Sequence, residues 1–180
     1  MKIQPKQYGV CIFHPVTTEY DENFDHCRAL IESLSSKDFE VVWLWPNMDA
    51  GSDGVSKAIR QSREQKTISN IHFFKSLPIE EYAPLLKYSA FIIGNSSSGI
   101  REAGFVGVPS VSVGSRQRGR EHGANVLSVA ATKREIDAGL DKIRNLTIKP
   151  NDMYGKGEPS SSVAKLLSVI EIKNEKFQET

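Results

Sequence analysis

Ser89-Ala90-Phe91-Ile92-Ile93-Gly94-Asn95-Ser96-Ser97-Ser98-Gly99-Ile100-Arg101-Glu102-Ala103-Gly104-Phe105, continuing through Val108-Pro109-Ser110-Val111-Ser112-Val113 to Gly114-Ser115-Arg116-Gln117-Arg118-Gly119-Arg120-Glu121, is the stretch whose reading decides the fold. The apolar run Phe91-Ile92-Ile93 predicts a buried strand. It breaks into small residues and re-forms from Ile100 to Phe105 with helical spacing. A second apolar run, Val108 to Val113, is followed by a polar loop carrying three arginines. The order is strand, small-residue loop, helix, strand, basic loop. A helix that starts after small residues presents unpaired N–H groups and a positive dipole end, which suit phosphate. Serine hydroxyls and the returning arginines add donors, so the stretch reads as a diphosphate cradle.

The pattern repeats on either side. Tyr8 to Phe13 is a continuous apolar run ended by His14-Pro15, a buried strand of a parallel sheet. Asp21 to Ser35 carries Phe24, Cys27, Leu30, Ile31 and Leu34 on one helical face. Phe39 to Trp45 is a second strand, Pro46 to Gly54 a loop, Val55 to Lys66 a helix and Ile71 to Phe74 a third strand. Leu77-Pro78 opens a helix to about Lys87, with Pro84 as an irregularity. Beyond the central stretch, Asn125 to Val129 is a sixth strand. Thr132-Lys133-Arg134-Glu135 matches a capping box for a helix to about Arg144. Pro150 to Pro159 is a loop, Ser160-Ser161-Ser162 caps a last helix from Val163 to Ile170, and Lys173 to Thr180 is a frayed tail. Strands alternating with helices predict an α/β fold, a Rossmann-like doubly wound parallel sheet with right-handed crossovers. Ligands bind such sheets beyond the carboxyl ends of the strands. His14, Asn47, the serines and the arginines all fall there.

A chain of 180 residues fits one domain with its own core. A net charge of +1 gives no bulk attraction to nucleic acid or membrane, so anion binding has to come from local clustering. No run approaches the roughly 20 apolar residues of a membrane helix, and Met1 to Gln7 has no signal-peptide core. Cys11 and Cys27 lack a CxxC neighbour and read as free, buried thiols in a reducing cytoplasm. His26, His72 and His122 have no metal-ligand spacing, and Asp49 and Asp53 are too irregular for a calcium loop. Neither a metal nor a cofactor is expected, since arginines and a helix end can neutralise a diphosphate.

Four motifs together resemble the UDP-N-acetylglucosamine 2-epimerases. They are His14-Pro15-Val16-Thr17-Thr18, Pro46-Asn47-Met48-Asp49-Ala50-Gly51-Ser52, Gly94 to Glu102 and Gly114 to Arg120. The hydrolysing branch, which releases UDP and N-acetylmannosamine at the start of sialic acid synthesis, is the nearer, because Pro15-Val16-Thr17 stands where the other branch has arginine, glutamate and asparagine. The resemblance runs over roughly Val10 to Ile170. It implies the C-terminal half of a glycosyltransferase-B-type fold. The N-terminal Rossmann half, which supplies acidic catalytic residues, is absent from this chain. Members of the family are commonly dimers or tetramers, so a homo-oligomer is compatible with it.

The resemblance also assigns roles. Ser96 and Ser97 hold the UDP phosphates; the plainer alternative is a strand–helix turn with capping serines. Glu102 binds the ribose hydroxyls, which a carboxylate can accept from as a pair; the alternative is an acid balancing a helix dipole. Arg116 is the diphosphate contact, suited to bidentate recognition, against a solvated basic loop. Asn47 contacts phosphate or sugar, and the backbone of Leu77 pairs with the uracil edge. His14 is read from its own position: it ends its strand at the ligand rim, a candidate catalytic residue that either donates to the leaving phosphate or transfers a proton; the alternative is a histidine that caps the loop. The implied reaction is loss of the C2 proton with departure of UDP from C1, then hydration with inversion at C2. This half would stabilise the leaving diphosphate and be inactive alone. Two other functions stay open: the donor half of a glycosyltransferase-B glycosyltransferase, and a non-catalytic nucleotide-sugar-binding domain. The sugar itself, N-acetylglucosamine or a diacetamido relative, is not legible.

Overall fold

A computed structural model describes residues 4–46, 50–64, 68–143, 146–155 and 159–170. The strands are β1 (Tyr8–Ile12), β2 (Glu40–Leu44), β3 (Ile71–Phe74), β4 (Phe91–Gly94), β5 (Ser110–Val113) and β6 (Val126–Val129). The helices are α1 (Asn23–Ser35), α2 (Ser52–Glu64), α3 (Ile79–Lys87), α4 (Glu102–Val106), α5 (Lys133–Ile143) and α6 (Pro159–Val169). All strands pair in parallel, in the order β3-β2-β1-β4-β5-β6. This is the expected Rossmann-like doubly wound sheet. The order reverses direction between β1 and β4, and such a reversal opens a crevice at the carboxyl ends of the two strands.

Alternate residues of the strands serve opposite faces. Cys11, Phe13, Trp43, Ile93, Val111 and Val113 pack with α1, α2 and α5 in one core. Val10, Ile12, Val42 and Ile92 pack with Leu86 of α3 and Ala103 of α4 in the other. Burial on both faces explains why the strands read as unbroken apolar runs rather than as alternation. Cys11 and Cys27 are free and buried, and burial pushes both thiols up in pKa.

Several boundaries move. Thr17–Glu22 forms a 3-10 turn ahead of α1, which begins at Asn23 rather than Asp21. The loop expected to run to Gly54 ends earlier, because Ser52-Asp53-Gly54 is already helical. Pro78 precedes α3 instead of lying in it, and Pro84 sits inside the helix. The capping residue Thr132 is in place, with the Glu135 N–H donating to its Oγ1 at 3.4 Å. The last helix starts at Pro159, so Ser160 to Ser162 occupy its first turn rather than its cap. Proline is favoured there because its missing N–H would be unpaired anyway. Lys66, Arg144 and Lys173 to Thr180 lie outside the described residues.

Candidate functional site

The crevice is built first by a backbone approach. β4 ends at Gly94, whose φ of +130° is open to glycine and strained for other residues. A Cβ on Gly94 would stand 2.0 Å from the Ile12 carbonyl oxygen. The ends of β1 and β4 are therefore in contact through main chain alone. The next residue, Asn95, donates its N–H to Ile12 O at 3.1 Å. Its side chain then turns onto the chain after β1. The His14 N–H donates to Asn95 Oδ1 at 2.7 Å, and Asn95 Nδ2 donates to His14 O at 2.8 Å. Asn95 is 1% exposed and His14 8%. A buried amide thus satisfies both polar groups of the His14 main chain and fixes the residue at the rim.

The serine segment, expected as a small-residue loop, is a regular turn, and the helix expected from Ile100 starts later. Ser97–Gly99 is a 3-10 turn, and α4 begins only at Glu102 and spans five residues. A helix this short has a small macrodipole, so the anion argument moves from the helix end to the turn itself. Ser96 is the cap of the turn: its Oγ accepts from the Ser98 N–H at 3.3 Å. A hydroxyl that accepts still has its proton to donate. The Ser97 carbonyl receives Ile100 N–H at 3.0 Å and Arg101 N–H at 2.9 Å. Ser98 is buried, and its Oγ hydrogen-bonds the Tyr82 hydroxyl on α3. Burial, with the nearby Glu102 carboxylate adding to it and the Ser98 bond opposing it, pushes Tyr82 up to about 12. Tyr82 therefore stays a neutral pin between α3 and the turn.

After β5 the chain enters the arginine loop. Gly114 N–H donates to Val129 O at 2.9 Å, and Ser115 Oγ donates to the Glu19 carboxylate. Arg116 is exposed and lines a cleft of about 290 Å³ with Pro15, Val16, Thr17, Thr18 and Ser115. Arg118 and Arg120 line a different cleft, of about 500 Å³, with Glu19, Glu22 and His26. The geometry therefore separates three arginines that look equivalent in sequence: among the described residues, Arg116 shares a cleft with the segment following His14, whereas Arg118 and Arg120 line the other. Between them Gln117 turns inward, 8% exposed, and its Nε2 donates to Asn95 O at 2.7 Å.

Of the residues singled out from sequence, His14, Ser96, Ser97 and Arg116 follow the three adjacent strands β1, β4 and β5 and gather at one rim. Glu102 is exposed in the first turn of α4, where it lines a groove of about 320 Å³ with Tyr82 and Arg101. Leu77 is half-buried after β3, an edge strand two places from β1. Asn47 lies outside the described residues. Sequence reasoning missed Asn95, Gln117 and Tyr82 as the side chains that join these segments. The signal was there in part: a carboxamide directly after a strand-ending glycine, and a neutral glutamine inside an arginine run.

The fold and rim define a doubly wound α/β domain whose polar groups converge at the switch point of the sheet. A family profile described as UDP-N-acetylglucosamine 2-epimerase matches residues 1–168. The chain belongs to that family. It is 30% identical over 166 residues to a UDP-N-acetylglucosamine 2-epimerase of Neisseria meningitidis serogroup B, covering 92% of this chain and 43% of that protein. It is 32% identical over 166 residues, with the same two coverages of 92% and 43%, to a UDP-N,N'-diacetylbacillosamine 2-epimerase (hydrolyzing) of Legionella pneumophila. Among solved structures, the Methanocaldococcus jannaschii UDP-GlcNAc 2-epimerase in complex with UDP-GlcNAc and UDP superposes with a TM-score of 0.70 at 13% identity. That superposition covers 91% of this chain and 46% of the other, and at such identity it speaks for the fold alone. The chain spans less than half the length of these relatives.

Proposed function

We propose that this domain is the UDP-binding, C-terminal half of a hydrolysing 2-epimerase acting on a UDP-linked 2-acetamido sugar, UDP-N-acetylglucosamine first among them. The observation that carries the reading is the junction at the switch point. Asn95 binds the main chain of His14 and accepts from Gln117, so the histidine, the serine turn and the Arg116 loop are held as one unit. Such an arrangement suits a leaving diphosphate. Ser96 and Ser97 offer hydroxyl and backbone donors, and Arg116 brings a planar cation over the cleft. Charge that develops as the C1–O bond breaks is then met by donors already in place, which lowers the barrier more than donors that must reorganise. His14, at the rim beside them, donates to the leaving phosphate. Glu102 takes the ribose hydroxyls, the Leu77 backbone the uracil edge, and Asn47 phosphate or sugar. The C2 proton is removed by groups of the second Rossmann half, and water adds at C2 to give the N-acetylmannosamine product.

Support for a second half comes from α6. Its Val163, Leu166, Leu167 and Val169 are exposed, and the helix buries no residue. An amphipathic or apolar helix is stable mainly through packing of its apolar face, so this one is built to be covered. Among the described residues no helix is long and apolar enough to cross a membrane. Two buried free thiols and a nucleotide-sugar substrate fit a cytoplasmic setting.

Calorimetry with UDP tests the reading. The 180-residue chain should bind UDP weakly. Arg116→Ala should weaken that binding about tenfold, the worth of one charge-assisted hydrogen-bond pair. Absence of heat at millimolar UDP, or an unchanged affinity in the variant, overturns it. N-acetylmannosamine released by this chain without a partner half would overturn the assignment as a half-site.

A further inference from the structure

The arginine loop departs from β5 and could lie at many heights above the sheet, yet a phosphate-binding arginine must be held within a fraction of an ångström of its partner. The loop's ends are tied elsewhere: Gly114 to β6 through Val129 O, and Glu121 O to the Tyr154 hydroxyl. Its middle carries Gln117, directly after Arg116, and there the loop meets the serine turn. Gln117 Nε2 donates to the carbonyl of Asn95, the residue that also holds His14. The side chain is buried, but its Oε1 has no partner among the described residues. A glutamine buried with an acceptor unpaired is a poor choice for stability alone, where an apolar side chain of similar size would be better. Its value must lie in the bond that Nε2 makes. Arg118 N–H to Ser115 O at 2.8 Å and Arg120 N–H to Gln117 O at 3.1 Å close two turns around it, so moving Gln117 moves Arg116.

We infer that Gln117 is a positioning residue for Arg116: its amide clasps the arginine loop to the serine turn and sets the spacing of the diphosphate site. The inference rests on the UDP-binding reading for its ligand, but the clasp itself is a property of the free domain, and the test separates the two.

Gln117→Leu, which removes the donor and keeps the bulk, is compared with Arg116→Ala and with the double variant in UDP titrations of the whole chain. Gln117→Leu should weaken UDP about tenfold, and the double variant should bind no more weakly than Arg116→Ala alone, because a misplaced Arg116 and an absent one are equivalent. A merely structural role predicts losses that add. In parallel, amide hydrogen exchange without ligand should show faster exchange at Arg118 and Arg120 in Gln117→Leu, with the sheet strands unchanged. Unchanged UDP affinity or additive losses overturn the positioning role. If the wild-type chain binds no UDP, the nucleotide reading falls, and exchange decides the clasp by itself: equal protection at Arg118 and Arg120 overturns it.

Discussion

Gly94→Ala is expected to cost about 3–5 kcal/mol of folding stability and to abolish nucleotide binding. Two effects add at this position. The backbone is held at φ +130°, where a Cβ is strained wherever it finds space. Here it finds none: the new carbon would lie 2.0 Å from Ile12 O and 2.7 Å from Ile12 C. Those are backbone atoms of a central strand in register with Gly94, so neither can swing away as a side chain would. Relief requires β1 and β4 to part at their carboxyl ends, which is where the crevice lies. Domains are stable by only about 5–15 kcal/mol, so the loss is a large share of the whole. Urea unfolding of the two proteins measures it, and a difference under about 1 kcal/mol would show that the strand ends separate easily.

The second large effect belongs to Asn95→Leu. Leucine fills nearly the same volume, so packing is retained and the polar bonds are removed. The His14 N–H and C=O then lose the partners they hold at 2.7 and 2.8 Å, in a place water does not reach. Each unpaired buried group costs roughly 1–3 kcal/mol, so a loss of about 3 kcal/mol is expected. UDP affinity should fall more steeply than for a core substitution of equal cost, because His14 and the serine turn lose their common anchor. Denaturation paired with UDP titration checks both parts. Stability within about 0.5 kcal/mol of wild type would mean that His14 finds other partners.

The sheet was legible because its strands are buried on both faces. Tyr8 to Ile12 and Phe91 to Ile93 have no polar interruption, and Gly or Pro marks most of their ends. The cluster of His14, the serines and Arg116 followed from the rule that loops at carboxyl ends share one rim. What stayed hidden was local or three-dimensional. The run Ile100 to Phe105 has helical spacing, but Ser96 caps a 3-10 turn first, so the regular helix is delayed to Glu102. Ser52 to Gly54 carries strong loop signals, yet it packs as the first turn of α2 beside Asn23. The tie between Asn95 and His14 joins residues 81 apart. No pattern in either segment reports it, because an amide that pairs with a distant backbone looks like any other loop asparagine. Likewise the separation of Arg116 from Arg118 and Arg120 depends on Gln117 turning inward between them.

That separation of 81 residues has a consequence for how the protein comes into being. β1 leaves the ribosome well ahead of β4, its neighbour on one side, which cannot arrive until two further strands and three helices have been made. Loop closure over such a distance is entropically costly and slow. The crevice is therefore a late product of this domain's folding: it exists only once β4 has been inserted beside the earlier β1. A nucleotide that fits it binds the finished sheet and no earlier species, and so draws the last assembly step forward by mass action.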